Sequence, residues 1–348
     1  MLAAMSLARS ISLAATCAIA LLMVLCTTTG CALKLTPIQT ASDKPSNVAV
    51  YFKVETGKGE PVANLSADQF EIYEDDALVS VLESQQTILN PEVAASHYTL
   101  LLIDMSASVV DSDDADKVTE AALLFTSTVE ENTKVAIYAF DGEADIHKIS
   151  DFTGSGATAD ARANSLGNFS PKDKSTNLNG AIIQGLEVLD AGLEKADNPL
   201  RIGTLVVFTD GTDRAARVTE SDMLRAVNET PYDVFAIGLG AEMSESDLRK
   251  IGRDGTALAT NSDEIQAAFE TIGQRIEQLT RSYYLLSYCS PSRAQQHTVT
   301  IKAKHTPEGG REATGRLETQ FDAEGFTKGC DPNQKPKFDI TKGDMAAE

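Results

Sequence analysis

The sequence predicts an α/β fold: a doubly wound parallel sheet with helices on both faces, plus an antiparallel β-sandwich built from the segments that flank it. Three observations predict this. Wholly apolar runs, Leu100-Leu101-Leu102-Ile103 and Leu205-Val206-Val207-Phe208 among them, read as strands buried on both faces. Stretches with apolar residues at helical spacing alternate with those runs. Segments 47–89 and 283–320, one on each side, carry β patterning instead.

Taken in order, residues 1–30 contain a single charge, Arg9, and an apolar stretch from Ile11 to Cys26. That stretch is short for a membrane span, and the pattern is that of an export signal. Thr28-Thr29-Gly30-Cys31 follows and resembles a lipobox, with Thr28 where Leu is usual. The resemblance implies cleavage before Cys31 and lipid attachment to it, which would anchor the protein to the cell envelope membrane. Ordinary cleavage at the small residues Gly30-Cys31-Ala32 is the alternative and would leave a free exported protein. Residues 31–46 hold Pro37, Pro45, Ser and Thr with little apolar pattern, and are expected to form the lipid-anchored tether.

Residues 47–92 form the N-terminal β segment. Its strands are Val48-Ala49-Val50-Tyr51-Phe52, Phe70-Glu71-Ile72-Tyr73-Glu74 and Val79-Ser80-Val81-Leu82, with turns at Gly57-Lys58-Gly59 and Asp75-Asp76. The central domain runs over 96–281. Strands are expected at 98–104, 134–140, 203–209 and 233–239, with an edge strand near 144–149. Helical faces appear at Val118, Ala122, Phe125 and Val129, and at Leu178, Ile182, Leu186, Leu189 and Leu193. The last helix presents Ile265, Phe269, Ile272, Ile276 and Leu279, with Asn261 as cap and Glu264 three residues on. Such alternation implies right-handed crossovers between parallel strands.

Residues 283–330 return to β: Tyr284-Leu285-Leu286-Ser287-Tyr288, Thr298-Val299-Thr300-Ile301-Lys302 and Gly315-Arg316-Leu317-Glu318-Thr319. Each flank offers about three strands, too few for a comfortable sandwich alone. Together they suffice for two packed antiparallel sheets, so one shared sandwich is expected, with the central domain inserted into it. Residues 331–348 read as a polar, disordered tail.

Lys and Arg number 30 against 51 Asp and Glu, a formal net charge of −21. Such a chain repels nucleic acid and anionic headgroups, and it has neither Trp nor a basic cluster. Of five cysteines, Cys17 and Cys26 lie in the export signal and Cys31 at its end. Cys289 and Cys330 remain, and an oxidising compartment would join them as a disulfide.

The run Leu100–Ile103 ends in Asp104-Met105-Ser106-Ala107-Ser108. A buried parallel strand thus delivers a carboxylate and two hydroxyls to the carboxyl edge of a sheet, where ligands of open α/β sheets bind. These are hard oxygen donors, suited to Mg²⁺ or Mn²⁺, with Ca²⁺ also possible. Ser175-Thr176-Asn177-Leu178 opens a helical pattern, and Thr209-Asp210-Gly211 ends the run from Thr204. DxSxS, a loop Thr and a strand-end TDG, in that order, resemble the metal-ion-dependent adhesion site of von Willebrand factor A domains, over roughly residues 96 to 280. The resemblance implies a Rossmann-like A domain whose metal is held by Asp104, Ser106, Ser108, Thr176 and Asp210. It further implies an open metal position that a partner's Asp or Glu carboxylate fills. The phrase Asn64-Leu65-Ser66-Ala67-Asp68-Gln69-Phe70-Glu71-Ile72-Tyr73-Glu74-Asp75 resembles a β-sandwich segment found before A domains in bacterial exported proteins.

Other polar groups read as scaffold. Asp111, Asp113, Asp114 and Asp116 form an acidic helix start rather than a second cation site. Asp141, Glu143 and Asp145 read as a solvated turn. His97, His147, His297 and His305 show no metal-ligand spacing. The expected function is a cation-dependent protein-binding or adhesion module of the bacterial envelope, not an enzyme. Two alternatives are a structural envelope lipoprotein whose A domain needs no metal, and a phosphohydrolase with Asp104 as nucleophile. The latter is disfavoured by Ser106, which stands where that chemistry places a second acid.

Overall fold

The computed structural model describes residues 32–338 except 90–94, 113, 154–158, 199, 241–242, 308 and 332. The export signal, Cys31, Asp113 and residues 339–348 lie outside the described residues.

The chain opens with the long hairpin β1 (Leu33–Asp43) and β2 (Asn47–Thr56), then β3 (Phe70–Glu74), β4 (Ala77–Leu78), the short helix α1 (Val81–Ser84) and β5 (Thr87–Leu89). The central domain follows: β6 (Ala95–Asp104), α2 (Ala107–Val110), α3 (Ala115–Val129), β7 (Lys134–Phe140), β8 (His147–Thr153), α4 (Ala159–Gly167), α5 (Leu178–Glu194) and β9 (Leu200–Thr209). It closes with α6 (Glu220–Glu229), β10 (Asp233–Leu239), α7 (Glu245–Ile251), β11 (Gly255–Ala259) and α8 (Ile265–Thr280). Strands β12 (Tyr283–Cys289), β13 (Gln296–His305) and β14 (Ala313–Asp322) complete the fold.

Six strands in the order β11-β10-β9-β6-β7-β8 form the central sheet, parallel except for β8, which runs antiparallel to β7. From β6 the chain builds outward to β7 and β8 on one side, then to β9, β10 and β11 on the other. The boundary between β6 and β9 is therefore the topological switch point. Helix α5 packs on one face with Leu178, Ile182, Leu186, Leu189 and Leu193 inward. On the other face lie α3 and α8, through Val118, Phe125, Phe269, Ile272 and Ile276.

The flanks interleave. Sheet β1-β2-β12-β5 joins N- and C-terminal strands through the β2–β12 pairing, and sheet β14-β13-β3-β4 does so through β13–β3. Val50, Phe52, Phe70, Ile72, Tyr284, Leu286 and Ile301 form the core between them. Phe52 and Phe70 meet edge to face at 5.6 Å. Strand β2 alternates: Val48, Val50, Phe52 and Val54 face this core, while Ala49 and Tyr51 face the central domain. Strand β12 does the same, with Tyr283 and Leu285 turned toward the central domain. Both strands are buried on both faces, which explains why they read as almost continuous apolar runs. At the junction Tyr51 stacks on Tyr283 at 5.9 Å, and the Tyr51 hydroxyl lies 3.4 Å from His97 Nε2. Arg275 of α8 pairs with Glu60 of the sandwich and donates to the Gly59 carbonyl at 3.3 Å.

Several expectations are corrected. Residues 33–43, read as tether, form β1, which pairs along β2 and bonds to β14 through Thr40 and Thr319 at 2.8 Å. Hydroxyls and prolines mask its pattern, but Leu33, Leu35 and Ala41 are buried. The strand expected over Val79–Leu82 gives way to α1, because the Ser80 hydroxyl caps the Glu83 amide at 3.4 Å. Strand β8 lies about three residues later than the edge strand expected near 144–149. Asn261 caps a 3-10 turn at Ser262–Glu264 that leads into α8, and Glu264 accepts from the Thr260 amide at 2.8 Å. The start of the tail is ordered by docking: Lys337 donates its amide to Asp43 at 2.9 Å, and Phe338 is buried among residues of the junction. Cys289 and Cys330 are disulfide-bonded, with Cα atoms 5.7 Å apart.

Candidate metal centre

Strand β6 ends at the switch point, so its last residue emerges between two sheet neighbours. Asp104 there is fully buried, and Ser106 nearly so. The Ser106 amide donates to Asp104 Oδ1 at 3.0 Å, which turns the backbone back over the strand end. The Ser106 and Ser108 hydroxyls lie 3.1 Å apart, side by side at the mouth. From β9, the Thr209 hydroxyl donates its one proton to Asp104 Oδ2 at 2.8 Å, with the Gly211 carbonyl at 3.0 Å as the alternative acceptor.

Thr176 is buried on the segment that precedes α5. That segment is held from both sides. The Ala107 amide reaches the Lys174 carbonyl at 3.5 Å, and the Arg214 and Ala215 amides bond the Thr176 carbonyl at 2.9 and 3.0 Å. The N-terminus of α5 is capped across the site: Asp213 accepts from the Asn179 amide at 2.9 Å. Gly142 lies against this segment, where a Cβ would collide with the side chains of Asp173 and Ser175. Three separate stretches of chain thus meet at one edge of the sheet.

The centre concentrates negative charge in a buried place. Burial and the negative charge of Asp210 push the Asp104 carboxyl up to about 7, against the opposing hydrogen bonds from Ser106 and Thr209. A buried carboxylate facing a second carboxylate is costly without a positive counter-charge. Two carboxylates and three hydroxyls are an oxygen-only donor set, which fits Mg²⁺, Mn²⁺ or Ca²⁺. Asp104, Ser106 and Ser108 touch directly, and Asp210 acts on Asp104 through its charge. Thr209 is a further member, supplying a hydrogen bond that holds the Asp104 carboxylate.

The acidic stretch after β7 is not a solvated turn at Asp141. That residue directly follows a buried strand and is itself buried. Its carboxylate accepts the Glu143 amide at 2.7 Å and the Lys172 amide at 2.8 Å. His147 at the start of β8 returns beside Asp141 and Glu143. The signal in the sequence is the spacing Asp-x-Glu-x₃-His across a strand–turn–strand, which only the hairpin geometry brings together. Asp145 is exposed, as a turn residue would be. Asp114 and Asp116 sit at the start of α3, and Asp111 is exposed beside Lys174 at 3.4 Å.

Residues 99–212 match the family model for the von Willebrand factor type A domain. Among curated proteins no relative matches. Among solved structures, a von Willebrand factor type A protein from Catenulispora acidiphila is 12% identical, covering 86% of this chain and 74% of its own, with TM-score 0.44. Proximal thread matrix protein 1 from the mussel byssus, solved with a zinc-occupied metal-ion-dependent adhesion site, is 14% identical, with TM-score 0.43 over 53% of this chain. The present chain spans 48% of that protein's length. BatB from Bacteroides thetaiotaomicron is 15% identical, covering 53% of this chain and 98% of its own, with TM-score 0.42.

Proposed function

We propose that this chain is a divalent-cation-dependent protein-binding module, exported and held at the cell envelope by a lipid on Cys31. The observation that carries the proposal is the Asp104 carboxylate, fully buried at the switch point beside Asp210 and behind the paired hydroxyls of Ser106 and Ser108. The family match over 99–212 supports the same reading. Mg²⁺ or Mn²⁺ is the ion of choice, Ca²⁺ the variant. When bound, the ion supplies a Lewis-acidic position open to an Asp or Glu carboxylate of a partner protein.

The chain's residues divide the task. Ser106, Ser108 and Thr176 offer neutral hydroxyls, so little charge is donated to the ion and its attraction for an incoming carboxylate stays high. Asp104 and Asp210 offset the ion's charge from the buried side. Thr209 fixes the Asp104 carboxylate, and the bonds around Thr176 keep its segment in place. Ser106 in place of a second acid argues for binding rather than phosphoryl chemistry.

Placement fits a tethered binder. Strand β6 is ten residues long, about 30 Å at the usual rise. Its first residues pack on the sandwich and its last carries the candidate centre, so the sandwich and the metal edge lie at opposite ends of that strand. The test has three arms. Calorimetric titration should show Mg²⁺ binding that is lost in Asp210→Ala. Purified wild-type protein should capture an envelope partner in Mg²⁺ but not in chelator, and Asp210→Ala should capture none. Mass spectrometry of the mature N-terminus should find acylated Cys31. Equal capture in chelator would favour the metal-independent structural reading instead.

A further inference from the structure

We propose that Asp141, Glu143 and His147 form a second cation site beside the first, one that takes a zinc-class ion rather than Mg²⁺. The three donor atoms lie within 4.8 Å of one another. His147 Nε2 stands 3.6 Å from Asp141 Oδ1 and 3.7 Å from Glu143 Oε2. Those separations are beyond hydrogen bonding. The Nε2 atom is shielded from solvent and has no hydrogen-bond partner. This ring nitrogen lies within ion-pair distance of both carboxylates but hydrogen-bonds neither, so an ion seated among the three groups would complete a contact set that the side chains leave loose.

The spacing selects the ion. Donors at about 2.1 Å around a tetrahedral ion are about 3.4 Å apart, and around an octahedral ion about 3.0 Å. The two gaps from His147 Nε2, 3.6 and 3.7 Å, are nearer the tetrahedral value and close to it with a small side-chain rotation. One imidazole and two carboxylates suit zinc and its neighbours, whereas Mg²⁺ prefers oxygen alone. A fourth position is left for water or a partner's group.

The surroundings favour occupancy. The Asp141 carboxylate is positioned by the Glu143 and Lys172 amides and keeps lone pairs free. Phe169 packs against the His147 ring at 5.3 Å and restrains its tilt. Lys172 reaches Glu143 at 3.2 Å, but it is largely exposed, so yielding its place to an ion costs little. The site is also coupled to the first. Phe140, just before Asp141, bonds Met105 at 2.8 Å, and the Asp141 carbonyl accepts the Asn177 amide at 2.9 Å. An ion here would brace the segment that carries Thr176.

The test removes the first site and titrates the second. ZnCl₂ is titrated calorimetrically into full-length mature protein carrying Asp104→Asn, with and without His147→Ala. One zinc is expected to bind the single variant. Affinity is expected to fall at least about 10–100-fold in the double variant, the loss seen even for outer-shell partners of a metal. Long-range ¹H–¹⁵N spectra of the four histidines in the Asp104→Asn protein should show the His147 Nε2 signal alone moving with zinc. An unmoved His147 signal at saturating zinc, or equal zinc affinity in both variants, would overturn the proposal. Neither result bears on Mg²⁺ binding by the wild-type centre, so the two readings fail separately.

Discussion

Replacing Asp104 by Asn removes one charge from the candidate centre and should raise stability in chelator while abolishing Mg²⁺ binding. The geometry permits the exchange. The Asn Oδ1 still accepts from the Ser106 amide, and the Thr209 hydroxyl can turn its proton to the Gly211 carbonyl, 3.0 Å away, while accepting from the new Nδ2. The magnitude follows from the carboxyl's displacement from an ordinary 3.8 to about 7. Between those values the native state binds the proton that the unfolded state has released. Stability therefore falls as pH rises through this window, by about 4 kcal/mol once pH exceeds 7. Asn carries no such loss. Urea unfolding in chelator at pH 8 should therefore find Asp104→Asn more stable by up to about 4 kcal/mol, with the gap closing toward pH 4. Mg²⁺ should narrow the gap, since wild type gains about 2.7 kcal/mol at a hundredfold excess over Kd and about 4.1 kcal/mol at a thousandfold excess, which closes it, while the variant gains nothing. If Asp104→Asn is the less stable protein at pH 8 in chelator, the carboxylate is satisfied by the protein itself and the cation argument fails.

Burial at the junction holds His97 at about 4 against an ordinary 6.5; the unfolded state then binds the extra proton, so stability should drop by about 3 kcal/mol as pH falls from 6.5 to 4. His97→Gln should flatten that slope in urea titrations, and an unchanged slope would clear His97 of the role. The Cys289–Cys330 bond closes a loop of 41 residues, for which loop-closure entropy is worth about 4 kcal/mol. Cys330→Ser should lower the urea midpoint accordingly and expose residues 331–338 to protease; intact protection would show that docking of Phe338 suffices. At Gly252 a Cβ would meet the Gly255 carbonyl and the Ala236 amide, backbone atoms that cannot swing aside. Gly252→Ala should cost about 1–3 kcal/mol in thermal or urea unfolding.

The four inner strands of the central sheet were legible because burial on both faces leaves few polar residues to break the run. Strands β7 and β10 fall where the pattern puts them, at 134–140 and 233–239. Elements with one wet face were harder. Strand β11 is a short, half-buried edge, and α6 has only Met223 and Val227 buried, too few to mark a face. The hairpin partner β1 was hidden because its hydroxyls and Pro37 resemble linker chemistry, while its order comes from pairing with β2 and contact with β14.

The candidate centre divides the same way. Asp104, Ser106 and Ser108 are local to one strand end, and local spacing dictates what a short loop can present. That Thr209 holds the Asp104 carboxylate depends on β9 lying beside β6, a crossover that no local pattern specifies. The approach of His147 to Asp141 and Glu143 depends on the β7–β8 hairpin and its irregular register. Composition and periodicity determine which segments must be buried and which residues end them. Which ends meet, and hence which carboxylates lose water and which nitrogen is left without a hydrogen bond, was decided only when the sheet closed, because desolvation and donor spacing are properties of the packed molecule.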